Sequence, residues 1–323
     1  MPMPRTLVSV ILLNYNAMRY IDPLLGSLQR QTYEPIEFLL FDNGSVDGSV
    51  GHVRRRYPEI AIYEMGRNTG FSLPNNEGIR KARGEYILTL NMDVVIEHDF
   101  VAEMVNAIET DPRVGWVAGK MLKLTPRGER SSEIDCLGHH MARFRYATET
   151  DYSVPFRWED YASPRPVFGA SACAALYRRA MLEDVAPDGE FFDEDFFAFF
   201  EDVDLDWRAQ QRGWVCLFTP RAVGYHVRGG SGLARRPEIA ACLLSNRFLT
   251  MVKNDDLLHV AQDIRPIARR VLRDVAVTLL DNPRALPLAL VRVMRLLPRM
   301  LRKRTAIRRG RLVPPSVVRS MIR

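Results

Sequence analysis

Three stretches place carboxylates where chemistry could use them. In FDNGSVDGS, residues 41–49, Asp42 closes an apolar run and Asp47 follows in a turn or an opening helix. A carboxylate so placed can accept hydrogen bonds from a nucleobase N–H or ribose hydroxyls; the same residue types also build ordinary turns and N-caps. In LTLNMDVVI, residues 88–96, Asp93 follows an apolar run that would bury an unpaired charge only at a cost, so its carboxylate should face a partner. Hard divalent cations prefer oxygen, and Mg²⁺ commonly takes one or two carboxylates plus substrate phosphates, which points to Lewis-acid chemistry; capping of the next turn is the plainer alternative. In EFFDEDFFAFFEDVDLDWRAQQRGW, residues 190–214, aromatics crowd Glu201, Asp202 and Asp204 where a helix is predicted to begin. One of these can serve as a general base, or simply cap that helix.

Two further stretches offer donors. GRNTGFSLPNNEGIRKARGEY, residues 66–86, carries glycines, asparagines and Arg67 that could meet phosphate. In VGYHVRGGSG, residues 223–232, His226 precedes a Gly-rich loop with Arg228; an imidazole can ligate a metal, and glycines let backbone N–H groups approach an anion.

The elements that must position these groups alternate strand and helix. Strands are predicted at Leu7–Leu13, Ile36–Phe41, Ile60–Glu64, Tyr86–Leu90 and Val114–Ala118. Helices are predicted at Ile21–Gln31, Ser45–Tyr57, Asn75–Ala82 and Phe100–Glu109. That order implies an α/β fold, a mostly parallel sheet flanked by helices, with ligands beyond the strands' carboxyl ends. Residues 121–166 read as polar and loop-rich. Val167–Tyr177 regains strand character, Val203–Gln211 reads as a helix, Trp214–Phe218 as a last strand, and Ala240–Lys253 as a helix leading into a basic tail.

Composition is ordinary for a globular protein, which excludes disordered and fibrous classes. The four cysteines form no CxxC pair, so buried reduced thiols are expected rather than a zinc site or disulfide frame. The N-terminal apolar run is too short for a signal peptide, and no stretch reaches the roughly 18 to 20 apolar residues of a membrane span. Charge is divided: residues 261–323 hold 16 Arg or Lys against 3 acidic residues. The tail is therefore about +13 within a chain of net +6, leaving a body of about −7. Leu286, Leu290, Val293, Met294, Leu297 and Leu301 share one helical face, with Arg292, Arg295, Arg299, Arg302 and Lys303 opposite and a kink expected at Pro298. This predicts a helix lying on an anionic bilayer, against the alternative of packing on the body with solvated arginines.

The pieces VSVILLNYN, FDNGSVDGS, NTGFSLPNNEGIRKARGEYILTLNMDV, VFGASACAALYRRAML, FFDEDFFAFFEDVDLDWRAQQRGW and HVRGGS, in this order, resemble the family-2 glycosyltransferases of GT-A fold. The likeness runs from about Val8 to Lys253 and is nearest to bacterial rhamnosyltransferase-like members acting on lipid-linked glycans. It implies a Rossmann-like GT-A domain over residues 1–235 and a basic helical extension over 236–323. It further implies an inverting enzyme using Mg²⁺ or Mn²⁺. Asp202 would be the base with Glu201 beside it, and Asp93 would hold the metal with His226 by the metal or diphosphate. Asp42 would contact the base of the donor, with Asn14, Asn43, Arg67, Asn75, Asn91 and Arg228 completing the donor site, and Gly169, Ala170 and Ser171 would line the acceptor side.

Asn91 stands where a DXD motif has its first carboxylate, so the metal has fewer charged ligands. QQRGW is not the QxxRW of processive synthases, so one sugar is expected per encounter. The implied partners are a nucleotide diphosphate sugar (dTDP-rhamnose, or a UDP- or GDP-sugar), a lipid-linked or oligosaccharide acceptor and an anionic membrane surface, with no nucleic acid. The implied place is cytoplasmic, on the inner face of the cell membrane. Two alternatives differ in kind. A sugar nucleotidyltransferase would carry a basic Gly-rich loop where NYNAMRY stands, and a nucleic-acid-binding protein using the tail sits poorly with an acidic body.

Overall fold

The computed structural model describes residues 5–149, 151–186, 188–229 and 236–323. Its first strands are β1 (Val8–Asn14), β2 (Ile36–Asp42), β3 (Ala61–Glu64) and β4 (Tyr86–Asn91), and they lie parallel in the order β3-β2-β1-β4. Helices α1 (Met18–Leu28), α2 (Ser49–Arg56) and α3 (Ser72–Lys81) make the crossovers. The register sets Asn14 opposite Asp42 and Leu13 opposite Asn91, so three polar strand ends share one rim. Alternation explains the layers: Val8, Val10 and Leu12 face one core cluster, and Ile11 joins Leu39, Phe41 and Ile79 in the other.

The second half of the sheet is mixed. After β5 (Val94–Ile96) and α4 (Phe100–Ile108) comes the long β6 (Val114–Leu124). Then follow β7 (Arg130–Cys136), β8 (His139–Met141), β9 (Ala147–Glu149), α5 (Trp158–Tyr161), β10 (Arg165–Val167), β11 (Ala174–Arg178), α6 (Arg179–Val185), α7 (Glu201–Gln211) and β12 (Val215–His226). Strand β11 is inserted antiparallel between β4 and β6, and β12 runs parallel to β6.

Residues 121–166 are thus not the loop expected of them. Strand β7 pairs antiparallel with β6, and β8 and β9 form a hairpin. The outer part of β7, RSSE, is polar because it is half-exposed; it is a strand by virtue of its partner rather than its propensity. The predicted strand Val167–Tyr177 is two strands, β10 and β11, separated by a mostly buried loop, and the last strand runs on to His226.

The C-terminal helices are α8 (Pro237–Asn254), α9 (Leu257–Gln262), α10 (Ile264–Asp281), α11 (Ala285–Gly310) and α12 (Pro315–Ser320). Helix α11 continues through Pro298. Its body-facing side is Ala285, Ala289, Leu296, Met300 and Arg304, whereas Leu290, Met294 and Leu301 of the predicted apolar face are exposed. Several tail cations are paired rather than solvated. Lys303 reaches Asp193 at 2.6 Å and Glu190 at 2.9 Å, Arg299 reaches Asp195 at 2.6 Å, and Arg319 reaches Asp263 at 2.7 Å. Among the described residues Arg299, Lys303, Arg308 and Arg311 of the tail meet carboxylates of the body. Among the described residues no helix is long and apolar enough to cross a membrane.

Candidate active site

Asn14, at the end of β1, donates from Nδ2 to Asp42 Oδ1 at 2.7 Å and to Ser49 Oγ at 2.9 Å. The other oxygen of Asp42 accepts from the backbone N–H groups of Gly44 (3.1 Å) and Ser45 (3.0 Å), so this buried carboxylate shapes its own turn. Asn43 holds the next loop, donating to Gly70 O and accepting from Thr69 N–H. Gly44 has φ +80°, and a Cβ there would sit 2.7 Å from Arg67 Cα, so only glycine lets the two turns touch. Arg67 is exposed, while Asn75 is buried and bonds Phe71 O within α3. Asn76, beside it, ties α3 to Phe192 and Glu194 of the acidic stretch.

Two arrays of carboxylate, imidazole and carboxylate lie along the rim. In the first, His226 presents Nε2 to Asp93 Oδ1 at 3.4 Å and Nδ1 to Asp135 Oδ2 at 2.9 Å. Asp135 is fully buried and also accepts from Arg228 Nε at 2.9 Å. Burial raises the pKa of Asp135, but His226 and Arg228 overturn that and hold it below the usual carboxylate range. Burial likewise works against charge on His226. Cys173, then Asp135 and Asp93, overturn it and hold the imidazole well above its ordinary value.

In the second array His139 presents Nδ1 to Asp206 Oδ2 at 2.8 Å and Nε2 to Asp202 Oδ2 at 3.8 Å. Asp202 opens α7, accepting from Ala172 N–H at 3.2 Å and Val203 N–H at 2.8 Å, and remains partly open to solvent. Asp206, one turn further along α7 and buried, accepts from Ala170 N–H at 3.3 Å; burial pushes its pKa up to about 7. Glu201 is buried beside Asp202, one carboxyl oxygen lacking a hydrogen bond among the described residues, and burial raises its pKa well above the usual range. Asp204 is turned inward, onto Lys253 at 2.8 Å and Arg208 at 2.9 Å.

The arrays are joined by two short pieces of chain. Ala172 N–H holds Asp202, while the next residue, Cys173, accepts from Asn91 N–H at 2.9 Å and influences His226. Asp135 and His139 are four residues apart across the turn at Gly138. Asp93 and Asp202 therefore share one rim. Gly169 and Ala170 are buried beneath the second array, and Ser171 is half-buried. Residues 230–232 of the Gly-rich loop lie outside the described residues.

Asp93 and His226 suit a divalent cation: 3.4 Å is long for a hydrogen bond but close to the separation of two ligands each about 2.1 Å from one ion. Asp135 on the far imidazole nitrogen is the usual support for such a ligand. Among the described residues no group of three or more His, Cys, Asp or Glu could hold a metal, so remaining ligands would come from phosphate and water.

The sequence model of glycosyl transferase family 2 matches residues 9–186. The chain belongs to this family. This glycosyltransferase is 26% identical over 239 residues to an N-acetylglucosaminyl-diphospho-decaprenol L-rhamnosyltransferase of Mycobacterium tuberculosis, an overlap of 69% of this chain and 76% of that one. It is 22% identical over 218 residues to a poly-β-1,6-N-acetyl-D-glucosamine synthase of Staphylococcus aureus, covering 67% of this chain and 48% of the synthase. Its fold is that of GT-A enzymes. A mannosyltransferase from Pyrobaculum calidifontis, solved with GDP-Man and Mn²⁺, superposes with a TM-score of 0.53 at 20% identity over 99% of this chain and 86% of its own. GalNAc-T7, solved with UDP, GalNAc and Mn²⁺, gives 0.63 at 14% identity over 81% and 51%. S. aureus TarS gives 0.54 at 20% identity; this chain spans 43% of its length.

Asp93, His226 and Arg228 lie together in the structure, as do Asp202, Gly169 and Ala170. Sequence reasoning missed Asp135, His139 and Asp206. The only signal was composition: LGHH and an Asp one turn beyond the "ED" pair, without any periodicity to set them apart. Tyr20 was missed too; burial raises its pKa, Arg19 opposes that, and it feels the charges of Asp93 and His226.

Proposed function

We propose that this glycosyltransferase moves a single sugar, rhamnose favoured, from a nucleoside diphosphate onto a hydroxyl of a lipid-linked glycan, with inversion, in cell-surface polysaccharide synthesis. The observation that carries the reading is Asp202. Its carboxylate is aimed by two backbone N–H groups, is open to solvent, and lies on the same rim as Asp42, Asp93 and His226. The mycobacterial relative, a rhamnosyltransferase by name, supports the sugar and the acceptor class.

Asp202 takes the proton of the acceptor hydroxyl, whose oxygen bonds to the anomeric carbon from the face opposite the diphosphate. The bond from that carbon to the diphosphate oxygen breaks, and the electron pair leaves with the nucleotide. In this reading the turns held by Asn14, Asp42 and Asn43 receive the nucleoside, and Arg67 and Arg228 meet its phosphates. Mg²⁺ or Mn²⁺ held by Asp93 and His226 would take up charge on the departing diphosphate.

Screening dTDP-rhamnose, UDP-sugars and GDP-sugars for Mn²⁺-dependent nucleotide release tests this. Turnover of one of them with metal is expected; no turnover of any, with or without metal, overturns it.

We also propose attachment to an anionic membrane face on the cytoplasmic side. Supporting it, α10 exposes Val271, Leu272, Leu279 and Leu280 alongside Arg265, Arg269 and Arg273. Lys303 and Arg299 hold the catalytic body, so point changes are preferable to truncation. The triple change Leu272→Asp, Leu279→Asp and Leu280→Asp should abolish flotation with phosphatidylglycerol vesicles, and unchanged flotation would count against α10.

A further inference from the structure

Asp206 is an expensive residue. Its carboxylate is essentially excluded from solvent, with one imidazole and one long backbone hydrogen bond as partners. Burying such a group does not by itself stabilise a fold, since an apolar side chain of similar volume commonly does as well or better. The surrounding chain nevertheless makes room for it. A Cβ on Gly169 would lie 1.7 Å from Asp206 Oδ2, and Gly169 has no positive φ, so glycine is needed there for space alone. The side chain it admits holds His139 Nδ1 at 2.8 Å, and that contact turns Nε2 toward Asp202 Oδ2.

We infer that His139, anchored by Asp206, is a positioning residue for Asp202: it fixes the carboxylate's orientation, so that the oxygen that removes the acceptor's proton is held where it is needed. The inference rests on Asp202 being the base. An imidazole between two carboxylates serves both by donating from both nitrogens or, when Asp206 holds a proton, by accepting at Nδ1 and donating from Nε2. At 3.8 Å the Nε2 edge is beyond hydrogen-bond length in the resting site, and a carboxylate that swings to meet an acceptor hydroxyl can close that distance. The other titratable groups facing the pair are Glu201 from α7, Tyr177 from β11 and Cys216 from β12, all buried and all raised in pKa, chiefly by that burial.

The test uses the full chain, Mn²⁺ and the nucleotide sugar turned over fastest in the panel above, with water as acceptor and nucleotide release as readout. His139→Asn keeps an amide donor toward Asp206 and loses the reach to Asp202; His139→Gln restores a donor near the Nε2 position. His139→Asn should lower kcat about 10-fold with the donor KM within about 2-fold, and His139→Gln should recover part of that loss. In an Asp202→Asn background, His139→Asn should cost no more than about 2-fold further, because its effect passes through Asp202. Wild-type kcat in His139→Asn while Asp202→Asn is inactive overturns the inference and leaves the base reading intact. Near-normal turnover in Asp202→Asn removes the base reading itself, and the inference with it. If His139→Asn does not fold, the isosteric Asp206→Asn takes its place: the same fall in kcat at unchanged KM supports the inference, and wild-type kcat overturns it.

Discussion

The two ends of the rim are built from the same parts and set to different charge states. At Asp93 the imidazole is backed by Asp135, which has an arginine as a second partner and stays ionised despite complete burial. At Asp202 the imidazole is backed by Asp206, whose other hydrogen-bond partner among the described residues is a backbone N–H, and burial pushes its pKa up to about 7. The difference is the guanidinium beside Asp135, set against the deeper burial of Asp206 and the charge of Asp202 near it. A permanent negative charge behind an imidazole suits a ligand to a cation, whereas a carboxylate that can hold a proton near neutrality suits a site where protons move.

The comparison breaks most sharply at the residues that face the rim. Asp202→Asn should fold and bind donor yet lose turnover by roughly 10²-fold or more, read as kcat with donor affinity measured separately. The supporting carboxylates should then separate the two ends. Asp135→Asn should weaken Mn²⁺ activation by about 10- to 100-fold, whereas Asp206→Asn should leave the Mn²⁺ midpoint unchanged. Equal metal effects from both would dissolve the distinction drawn here.

A third test concerns the loop that delivers Asp202. Phe197, Phe199 and Phe200 all have positive φ, a conformation aromatic residues seldom adopt, immediately before α7. Asn246 of α8 donates to Phe196 O, Ala198 O and Phe199 O, and Arg292 of α11 reaches Asp195 O and Phe196 O. The helical extension therefore clamps the catalytic loop. Asn246→Ala should cost about 2–3 kcal/mol in denaturant unfolding, because the carbonyls of Ala198 and Phe199 lose this donor while Phe196 O keeps Arg292. A loss under about 0.5 kcal/mol would mean the loop is held from the catalytic body alone.

The smallest effect is on pH dependence. A carboxyl group whose folded pKa is raised contributes stability that is full below its unfolded value, 3.8, and is lost as pH rises through about 7. Relative to Asp206→Asn, the wild type should therefore lose stability between about pH 4 and pH 7. Asp135 behaves oppositely: its pKa is lowered, so its contribution is present above 3.8 and lost as pH falls below it. Parallel pH profiles for the wild type and Asp206→Asn would place the titration elsewhere.

Much of the fold was legible in the sequence. Apolar runs ending in Asn or Asp, with amphipathic helices between them, place Asn14, Asp42, Asn91 and Asp93 at one rim, because parallel strands bury both faces and must end in polar turns. The ordered motifs also carried the family and the choice of Asp202. The arrays behind these residues were not legible. Asp135 lies near the end of β7, a polar strand paired with β6 through register shifts that break the alternation, and His139 lies in the three-residue β8 paired with β9, so local patterning reveals neither.

The tail shows the same division. Its sequence fixes amphipathic, basic helices, but which face meets the body depended on where the acidic stretch 190–195 would fall. Leu296 and Met300 turned inward to the apolar cluster of Phe196, Phe200 and Trp207, and Lys303 to Asp193 and Asp195, leaving Leu290 and Met294 outside. Chain chemistry set which groups could react and where strands and helices must stop. The packing of distant segments chose their partners, since desolvated charges settle only where an opposite charge is brought to meet them.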